Sequence, residues 1–328
     1  MTIITLFKRL YHGSVLEKFL VFYLHPIPIK NKYYNTKDYN PLFIYVCGVG
    51  RAKAGLCDRL RSMVNMYECA LRLGIKDRYR IMHFKPFDLY CYLKPNKIEW
   101  RISKDEILYD KKIVQVNKIL ARRSFYYWLP KKAYKIAIRK SKLQIHIYGN
   151  PNFIDDDIMK YSKLFNELFK PSDELQKIID WNKSQIGGKY VSVTMRFQNL
   201  MGDFYEGEKF KMLETEEEKQ DYISRCITQI EIIHKKHPDM KILVTSDSMR
   251  VLEVAKHLPF AHVNPGNLVH VAFTTNTDYD VHMKPFVDLY TIADASKVYL
   301  LKTGKMYNSA FAKTAALINL REYEVIEF

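Results

Sequence analysis

The sequence predicts an α/β protein in which parallel sheets are flanked by helices, arranged as two domains. Apolar, strand-like runs alternate with amphipathic, helix-like segments along the chain, which is typical of parallel sheets. A length of 328 residues is long for one domain and sufficient for two, each with its own core. A content of 48% hydrophobic and 14% aromatic residues excludes a disordered chain.

Regular structure in the first half begins with an apolar strand at 42–47, which leads through a glycine-rich loop into a helix. Apolar residues recur at helical spacing over 56–71, and Gly74 stands where helices commonly end. We therefore expect this helix to bury one face. The first half also contains a strand-like run at 143–148.

The domain boundary is predicted from helix signals near the middle of the chain. A helix-like segment at 158–169 ends just before Pro171, and Ser172 or Asp173 can cap the helix that follows. The predicted domains are therefore 1–169 and 170–328.

Polar residues end two apolar strands of the second half. Arg196 ends the first of these strands, and Thr245, Ser246 and Asp247 end the second. Because the carboxyl ends of parallel strands meet at one edge of a sheet, where open α/β sheets bind ligands, we expect these groups at one crevice. The predicted elements here are strands at 190–197, 241–248 and 298–301 and helices around 223–233, 288–293 and 308–318.

The last predicted helix would begin at the same crevice. Asn308 or Ser309 would cap this helix, and the N–H groups beside the cap would face the crevice. A diphosphate would then lie between the helix end and Arg196. The alternatives are an ordinary cap at Ser309 and a strand-end salt bridge at Arg196.

The glycine-rich loop contains Gly48, Gly50 and Gly55 and joins a strand to a helix, which suits an anionic or sugar ligand. It is not a Walker A motif, because Gly55 is followed by Leu56 rather than by Lys and Ser or Thr. It is not a dinucleotide fingerprint, because Lys53 replaces the third glycine. A tight turn without a ligand is the alternative.

Charged residues follow the glycine-rich loop in the first turns of the helix. Arg59 and Arg61 oppose the sign of charge that is favoured at a helix N-terminus, which indicates a nearby anion. Asp58 lies beside them. Solvated surface charges are the alternative.

The net charge of +16 suits nucleic acid, nucleotide phosphate or an anionic membrane as a partner. The basic residues follow no helix-turn-helix, zinc-finger or RNA-binding signature. We therefore predict no nucleic-acid partner, and leave peripheral contact with an anionic membrane open.

Cysteine usage predicts a reducing, cytoplasmic location. The five cysteines are odd in number and widely spaced. The longest uncharged run near the N-terminus, Phe19–Ile29, is too short to cross a bilayer and contains two prolines. We therefore expect neither a signal peptide nor a transmembrane helix.

Four motifs in order resemble the fucosyltransferase superfamily, which includes bacterial nodulation fucosyltransferases, core α-1,6-fucosyltransferases and protein O-fucosyltransferases. The resemblance covers 42–74 and 190–318. The motifs are Gly-Leu-x-Asp-Arg-Leu-Arg from Gly55, the strand ending in Arg196, Thr-Ser-Asp from Thr245, and Ser-x-Phe from Ser309 to Phe311.

This resemblance implies a GT-B fold, with two Rossmann-like domains facing a central cleft, and inverting, metal-independent transfer of fucose from GDP-fucose. Arg196 would contact the donor diphosphate, and Ser309 and Phe311 would lie at its phosphates. Asp247 would belong to the nucleotide-binding strand, and Asp288 would lie near the base or ribose. The acceptor or sugar side would then comprise Gly48, Gly50, Gly55 and Arg59.

The chain departs from the family pattern at two places. Thr194-Met195-Arg196 stands where the family often has His-x-Arg, and Ala310 stands in place of the second serine of Ser-Ser-Phe. These departures leave the donor sugar open, so a GT-B transferase with another nucleotide sugar is one alternative. A non-catalytic glycan-binding or nucleic-acid-binding protein is another.

Asp58 is the first candidate for the general base that would take the acceptor proton, and Asp203 and Glu206 are alternatives.

Asp155–Asp157 and the Asp278–Asp280 pair superficially match metal-binding Asp-x-Asp motifs. Helix capping explains the first, and the second lies in a predicted polar loop without a partner ligand. We therefore predict no metal and no cofactor.

The acceptor is not identified by any motif. By analogy, a basic protein of the cytoplasm, peripheral on the inner membrane, suits surface-polysaccharide or lipopolysaccharide synthesis on lipid-linked glycans.

Overall fold

The protein is described here by a computed structural model covering residues 41–47, 55–108, 114–119, 143–149, 154, 157–203, 211–269 and 278–328. The described residues form two compact units. The first unit contains the described residues up to Tyr90, those of Lys94–Lys160, and Leu164–Lys170. The second unit contains Cys91–Leu93, Tyr161–Lys163 and the described residues from Pro171 onward. The main division falls after Lys170, and short strands at Leu93–Pro95 and Phe169–Pro171 lie where the chain passes between units.

The first unit contains a four-stranded, entirely parallel sheet. Its strands are β1 (Phe43–Val46), β2 (Tyr79–Met82), β3 (Val114–Ile119) and β4 (Gln144–Gly149), in the order β2-β1-β4-β3. All four residues of β1 are buried, as expected for a strand covered on both faces.

The end of one helix and the start of another lie at residues that the sequence predicted. Helix α1 (Leu56–Leu73) ends at Gly74, whose φ of +70° lies in the left-handed region that favours glycine. Helix α2 (Ile158–Leu168) begins after Asp157, whose carboxylate accepts a hydrogen bond from the Lys160 N–H. The capping explanation for this aspartate is therefore confirmed, while Asp155 and Asp156 lie outside the described residues.

The second unit contains a five-stranded parallel sheet in the order β9-β8-β5-β6-β7. Every residue of β5 is buried, as expected for the centre of a sheet covered on both faces. The strands are β5 (Tyr190–Met195), β6 (Lys241–Ser246), β7 (Ala261–His262), β8 (Lys297–Lys302) and β9 (Glu322–Glu327).

Five helices accompany this sheet: α3 (Asp173–Ile186), α4 (Glu216–Lys236), α5 (Met249–Lys256), α6 (Tyr279–Asp294) and α7 (Ala310–Ile318). Ser172, one of the two predicted caps of α3, accepts a hydrogen bond from the Leu175 N–H. A capping box of Thr215 and Glu218 begins α4.

Helix α6 corrects two expectations. It begins nine residues before the predicted 288–293 segment, although Pro285 inside it has no N–H to donate. Burial of Met283 and Phe286 on either side of the proline outweighs that loss. The predicted polar loop at Asp278–Asp280 is also wrong, because Asp278 is the N-cap position and Asp280 lies in the first turn.

All five cysteines are described, and none forms a disulfide. Cys91 is exposed, whereas the other four are buried. Burial raises the pKa of the Cys226 thiol to about 12, which leaves almost no reactive thiolate at neutral pH. Within the described residues, no helix combines the length and apolar composition needed to cross a bilayer.

Thiol labelling tests this burial pattern. We expect iodoacetamide to modify Cys91 first at neutral pH, and the remaining cysteines only after unfolding, because alkylation needs an accessible thiolate. Mass spectrometry of timed samples would assign each site. The matched variant Cys91→Ser should lose the fast phase, and a second fast site in it would contradict the structure.

Candidate functional site

The candidate site lies at the carboxyl edge of the second sheet, where the strand order reverses. From β5 the chain continues on one side through β6 and β7, whereas β8 and β9 lie on the other side. Loops that leave two such neighbouring strands diverge and open a crevice between them, which is where doubly wound sheets bind ligands. Arg196 follows β5 at this point, and the turn 303–306 follows β8.

An ion pair connects Arg196 to Asp247, which follows β6. The Arg196 Nε lies 3.2 Å from Asp247 Oδ2, and the side chains are 19% and 4% exposed. The same carboxylate accepts hydrogen bonds from the backbone N–H groups of Phe197 (2.8 Å) and Gln198 (2.7 Å). Asp247 therefore fixes both the guanidinium and the chain that follows it, as the predicted strand-end salt bridge would.

Gln198 adopts a backbone conformation that the carboxylate holds in place. Its φ is +56°, in the left-handed region that costs a residue with a side chain about 1–2 kcal/mol. Its N–H donates to Asp247, and the residue is buried. The hydrogen bond to a charged acceptor offsets this strain.

The protonation of Asp247 depends on its partners. Burial raises the pKa of the Asp247 carboxyl above its ordinary value, and Arg196 with the two N–H groups opposes that rise. Removal of the guanidinium would therefore leave a buried carboxylate without its counterion.

The two residues before Asp247 have partners inside the protein. The Thr245 hydroxyl lies 2.8 Å from the Thr194 hydroxyl, between two strands, and is buried. The Ser246 hydroxyl accepts a hydrogen bond from the Ser248 N–H at 3.1 Å. Both side chains thus stabilise the edge of the sheet beneath Arg196.

The start of α7 reaches the same edge through the chain that leaves β8. The Tyr307 N–H donates to the Arg196 carbonyl at 3.0 Å. Two residues later, the Ser309 hydroxyl caps α7 by accepting from the Phe311 N–H at 3.2 Å. Asn308 is exposed and Phe311 is half-buried. The structure therefore brings Arg196 and the Ser309 helix end together, as the sequence predicted.

Asp288 lies on α6 and contacts the chain that follows β7. Its Oδ2 is 3.1 Å from Lys284 Nζ, and its Oδ1 accepts from the Asn264 amide at 2.8 Å. Lys284 also donates to the Asn264 carbonyl at 2.8 Å, and all three side chains are buried. The cluster fixes the chain after β7, and the four-residue spacing of Lys284 and Asp288 on a helix could have revealed the pair from sequence.

In the first unit, the structure separates the roles of the charged residues at the start of α1. Asp58 and Arg61 form a 2.6 Å ion pair in which the side chains are 44% and 43% exposed. Arg59 is only 5% exposed, so it is not a solvated surface charge. Gly55 is the N-cap of α1, whereas Gly48 and Gly50 lie outside the described residues.

One partner of Arg59 is His83, which no sequence motif indicated. Arg59 Nη1 lies 3.1 Å from His83 Nε2, and His83 Nδ1 lies 3.0 Å from the Phe87 carbonyl. A guanidinium can only donate, so Nε2 accepts and the proton is on Nδ1. The signal available in the sequence was the position of His83 directly after an apolar strand.

The alternative bases differ in their surroundings. Asp203 accepts hydrogen bonds from the Ser248 hydroxyl (2.8 Å) and the Arg250 N–H (3.0 Å), so it stabilises the start of α5. Glu206 lies outside the described residues. In the part of the chain that the structure describes, no three His, Cys, Asp or Glu side chains gather as metal ligands would.

No protein-family model and no curated protein matches the sequence. A mutant of Arabidopsis thaliana FUT1 in complex with GDP is similar in structure, with a TM-score of 0.55 and 10% identity over 97% of this chain and 77% of that chain. NodZ α-1,6-fucosyltransferase co-crystallised with GDP has a TM-score of 0.50 and 14% identity over 88% and 96%. This likeness confirms the predicted fold class, α/β with mostly parallel sheets of the GT-B type, and the resemblance of the fold to that of fucosyltransferases.

A double-mutant cycle tests the Arg196–Asp247 pair. Arg196→Met should lower the free energy of unfolding by about 2–3 kcal/mol, somewhat less than for a fully buried pair, because water reaches part of Arg196. In Arg196→Met/Asp247→Asn the unpaired charge is absent, so much of this loss should be recovered. Urea unfolding of the four proteins measures the coupling, and strictly additive effects would contradict the pair.

Proposed function

We propose that the protein is a glycosyltransferase that transfers fucose from GDP-fucose to a glycan acceptor. The observation that carries the proposal is the crevice at the reversal of strand order, where Arg196 and the start of α7 lie together. Two proteins of similar fold were crystallised with GDP, and NodZ is an α-1,6-fucosyltransferase, which supports a GDP-sugar as donor.

The proposed reaction is an inverting, metal-independent displacement. The acceptor hydroxyl oxygen bonds to the anomeric carbon, the bond from that carbon to the phosphate oxygen breaks, and GDP leaves with the bonding electron pair. A base takes the hydroxyl proton. Negative charge grows on the departing phosphate, so a fixed guanidinium and helix N–H groups would stabilise the transition state.

In this mechanism, the residues that the sequence assigned to the donor have different roles, which their contacts indicate. Arg196 and the N–H groups of α7 would bind the diphosphate, while Asp247 would hold Arg196 in position. Asp288 would shape the nucleoside side through Asn264. Asn308, which is exposed beside the Ser309 cap, would contact the donor directly.

We propose Asp58 as the base that receives the acceptor proton. Its carboxylate is partly exposed at the start of α1, so an acceptor hydroxyl can reach it. Gly55 and Arg59 would then form the acceptor side with the glycine-rich loop. Asp203 is a weaker alternative, because its carboxylate is engaged at the start of α5.

The proposed setting is the synthesis of bacterial surface polysaccharide or lipopolysaccharide on the cytoplasmic face of the inner membrane. Five cysteines without a disulfide support a reducing compartment. The net charge of +16 supports contact with anionic lipid, where a lipid-linked acceptor would be found.

A nucleotide-sugar panel tests the proposed activity. We expect GDP to raise the melting temperature, GDP-fucose to be consumed in the presence of glycan acceptors, and EDTA to leave the rate unchanged. Arg196→Met/Asp247→Asn should lower the rate about 10²–10³-fold, because it lacks the cation for the leaving phosphate.

The matched control is Arg101→Met/Glu99→Gln, which removes an exposed Arg–Glu pair of the first unit and should keep wild-type activity. Preference for UDP-sugars would indicate a GT-B transferase that uses another nucleotide sugar. Glycan binding without consumption of any donor would indicate a non-catalytic protein.

Rate measurements test Asp58. Asp58→Asn should lower kcat about 10²–10⁴-fold, because the amide cannot accept the proton. Arg61→Met is the matched control, since it breaks the same ion pair but keeps the carboxylate. An unchanged kcat in Asp58→Asn would exclude this residue as the base.

A further inference from the structure

The turn that follows β8 is fixed on both sides of Lys305. The Met306 N–H donates to the Thr303 carbonyl at 2.8 Å, and the Thr303 hydroxyl accepts from Arg225 at 3.0 Å. Thr303 and Met306 are buried, whereas Lys305 is exposed at the corner of the turn. Gly304 has a φ of +41°, and a Cβ there would lie 3.1 Å from the Tyr222 hydroxyl. The backbone at Lys305 is therefore held in one position.

This place is at the crevice. The hydrogen bond from Tyr307 to the Arg196 carbonyl holds the turn beside the chain that leaves β5. A cavity of about 520 Å³ opens here, and Lys305 lines it together with Phe197 and Gln198. Phe197 and Gln198 are the residues whose N–H groups Asp247 holds, so their wall of the cavity is fixed as well.

The charges in the cavity are of both signs. Among the described residues, no carboxylate pairs with Lys305, whereas Lys302 at the end of β8 pairs with Glu327 at 2.7 Å. Lys211 is a second cation of the cavity, and Glu214 and Glu218 also line it. Glu218 is engaged by the N–H groups at the start of α4, and Glu214 is exposed.

This combination matches a ligand that carries an anionic group next to hydroxyl groups. A cation binds phosphate oxygens, and a carboxylate accepts hydrogen bonds from hydroxyls. The two carboxylates offset the attraction of the two lysines for a simple anion. A sugar phosphate satisfies both kinds of residue.

We propose that this cavity binds the sugar-phosphate end of the nucleotide-sugar donor, with Lys305 on the phosphate that bears the sugar and Glu214 on the sugar hydroxyls. The inference rests on the proposed function and extends it. The Lys305 ammonium would stabilise the charge that the departing phosphate gains when the sugar–oxygen bond breaks.

Binding measurements test the role of Lys305. Lys305→Met should weaken GDP binding about 10- to 100-fold, as expected for loss of a charge-assisted hydrogen bond, and should leave guanosine binding unchanged. Lys305→Arg should restore most of the affinity. The matched control, Lys241→Met, removes an exposed lysine from the amino end of β6 and should bind GDP as the wild type does. Calorimetry gives the affinities, and urea unfolding verifies that each variant is folded.

A second variant tests the sugar side. Glu214→Gln should weaken binding of GDP-fucose several-fold while leaving GDP affinity unchanged. Equal GDP affinity in Lys305→Met and the wild type would overturn the inference. If another nucleoside diphosphate binds in a Lys305-dependent way and GDP does not, the inference stands and the proposed donor is wrong. If no nucleoside diphosphate binds, both are overturned.

Discussion

The carboxylate of Asp247 is the group on which the arrangement of the crevice depends. It accepts from a guanidinium and from two consecutive backbone N–H groups, so one buried charge fixes a side chain, a left-handed residue and the chain that leaves the central strand. Burial of this carboxylate is costly, and a hydrophobic replacement could stabilise the sheet more. What the charge provides is a fixed direction for Arg196, and in the proposed transfer little reorganisation would then be left for the reaction itself.

A second buried ion pair fixes another loop of the second unit. Lys284 and Asp288 form a buried pair on one helix, and both bind Asn264 after the outer strand β7. Each pair anchors a loop at the carboxyl edge of the sheet to a rigid neighbouring element. Loops of this kind would otherwise be the least stable parts of a doubly wound domain, and ligand sites are built from them.

The structural features that were predicted from sequence are those that a short stretch of residues determines. The glycine that ends α1, the caps at Asp157 and Ser172, and the placing of Arg196 near the start of α7 follow from periodicity, capping chemistry and strand order. Contacts between distant parts of the chain were missed, such as the Arg59–His83 pair and the turn that holds Lys305. Strand β9 was missed although Glu alternates with apolar residues in it, a pattern that predicts a strand with one exposed face. Lys297 and Lys302 of the neighbouring strand pair with its glutamates.

The anchors of the crevice form two sets of side chains, which one backbone hydrogen bond, from the Tyr307 N–H to the Arg196 carbonyl, connects. Arg196 is held from β6 by Asp247, and Asp203 in turn holds the start of α5, which follows β6. The side-chain contacts that hold the Lys305 turn come from Arg225 of α4 and from burial of Met306. Side-chain substitutions in that turn leave the Asp247 contacts of Arg196 in place, so under the proposed function donor selectivity could diverge between descendants while the arginine is inherited unchanged.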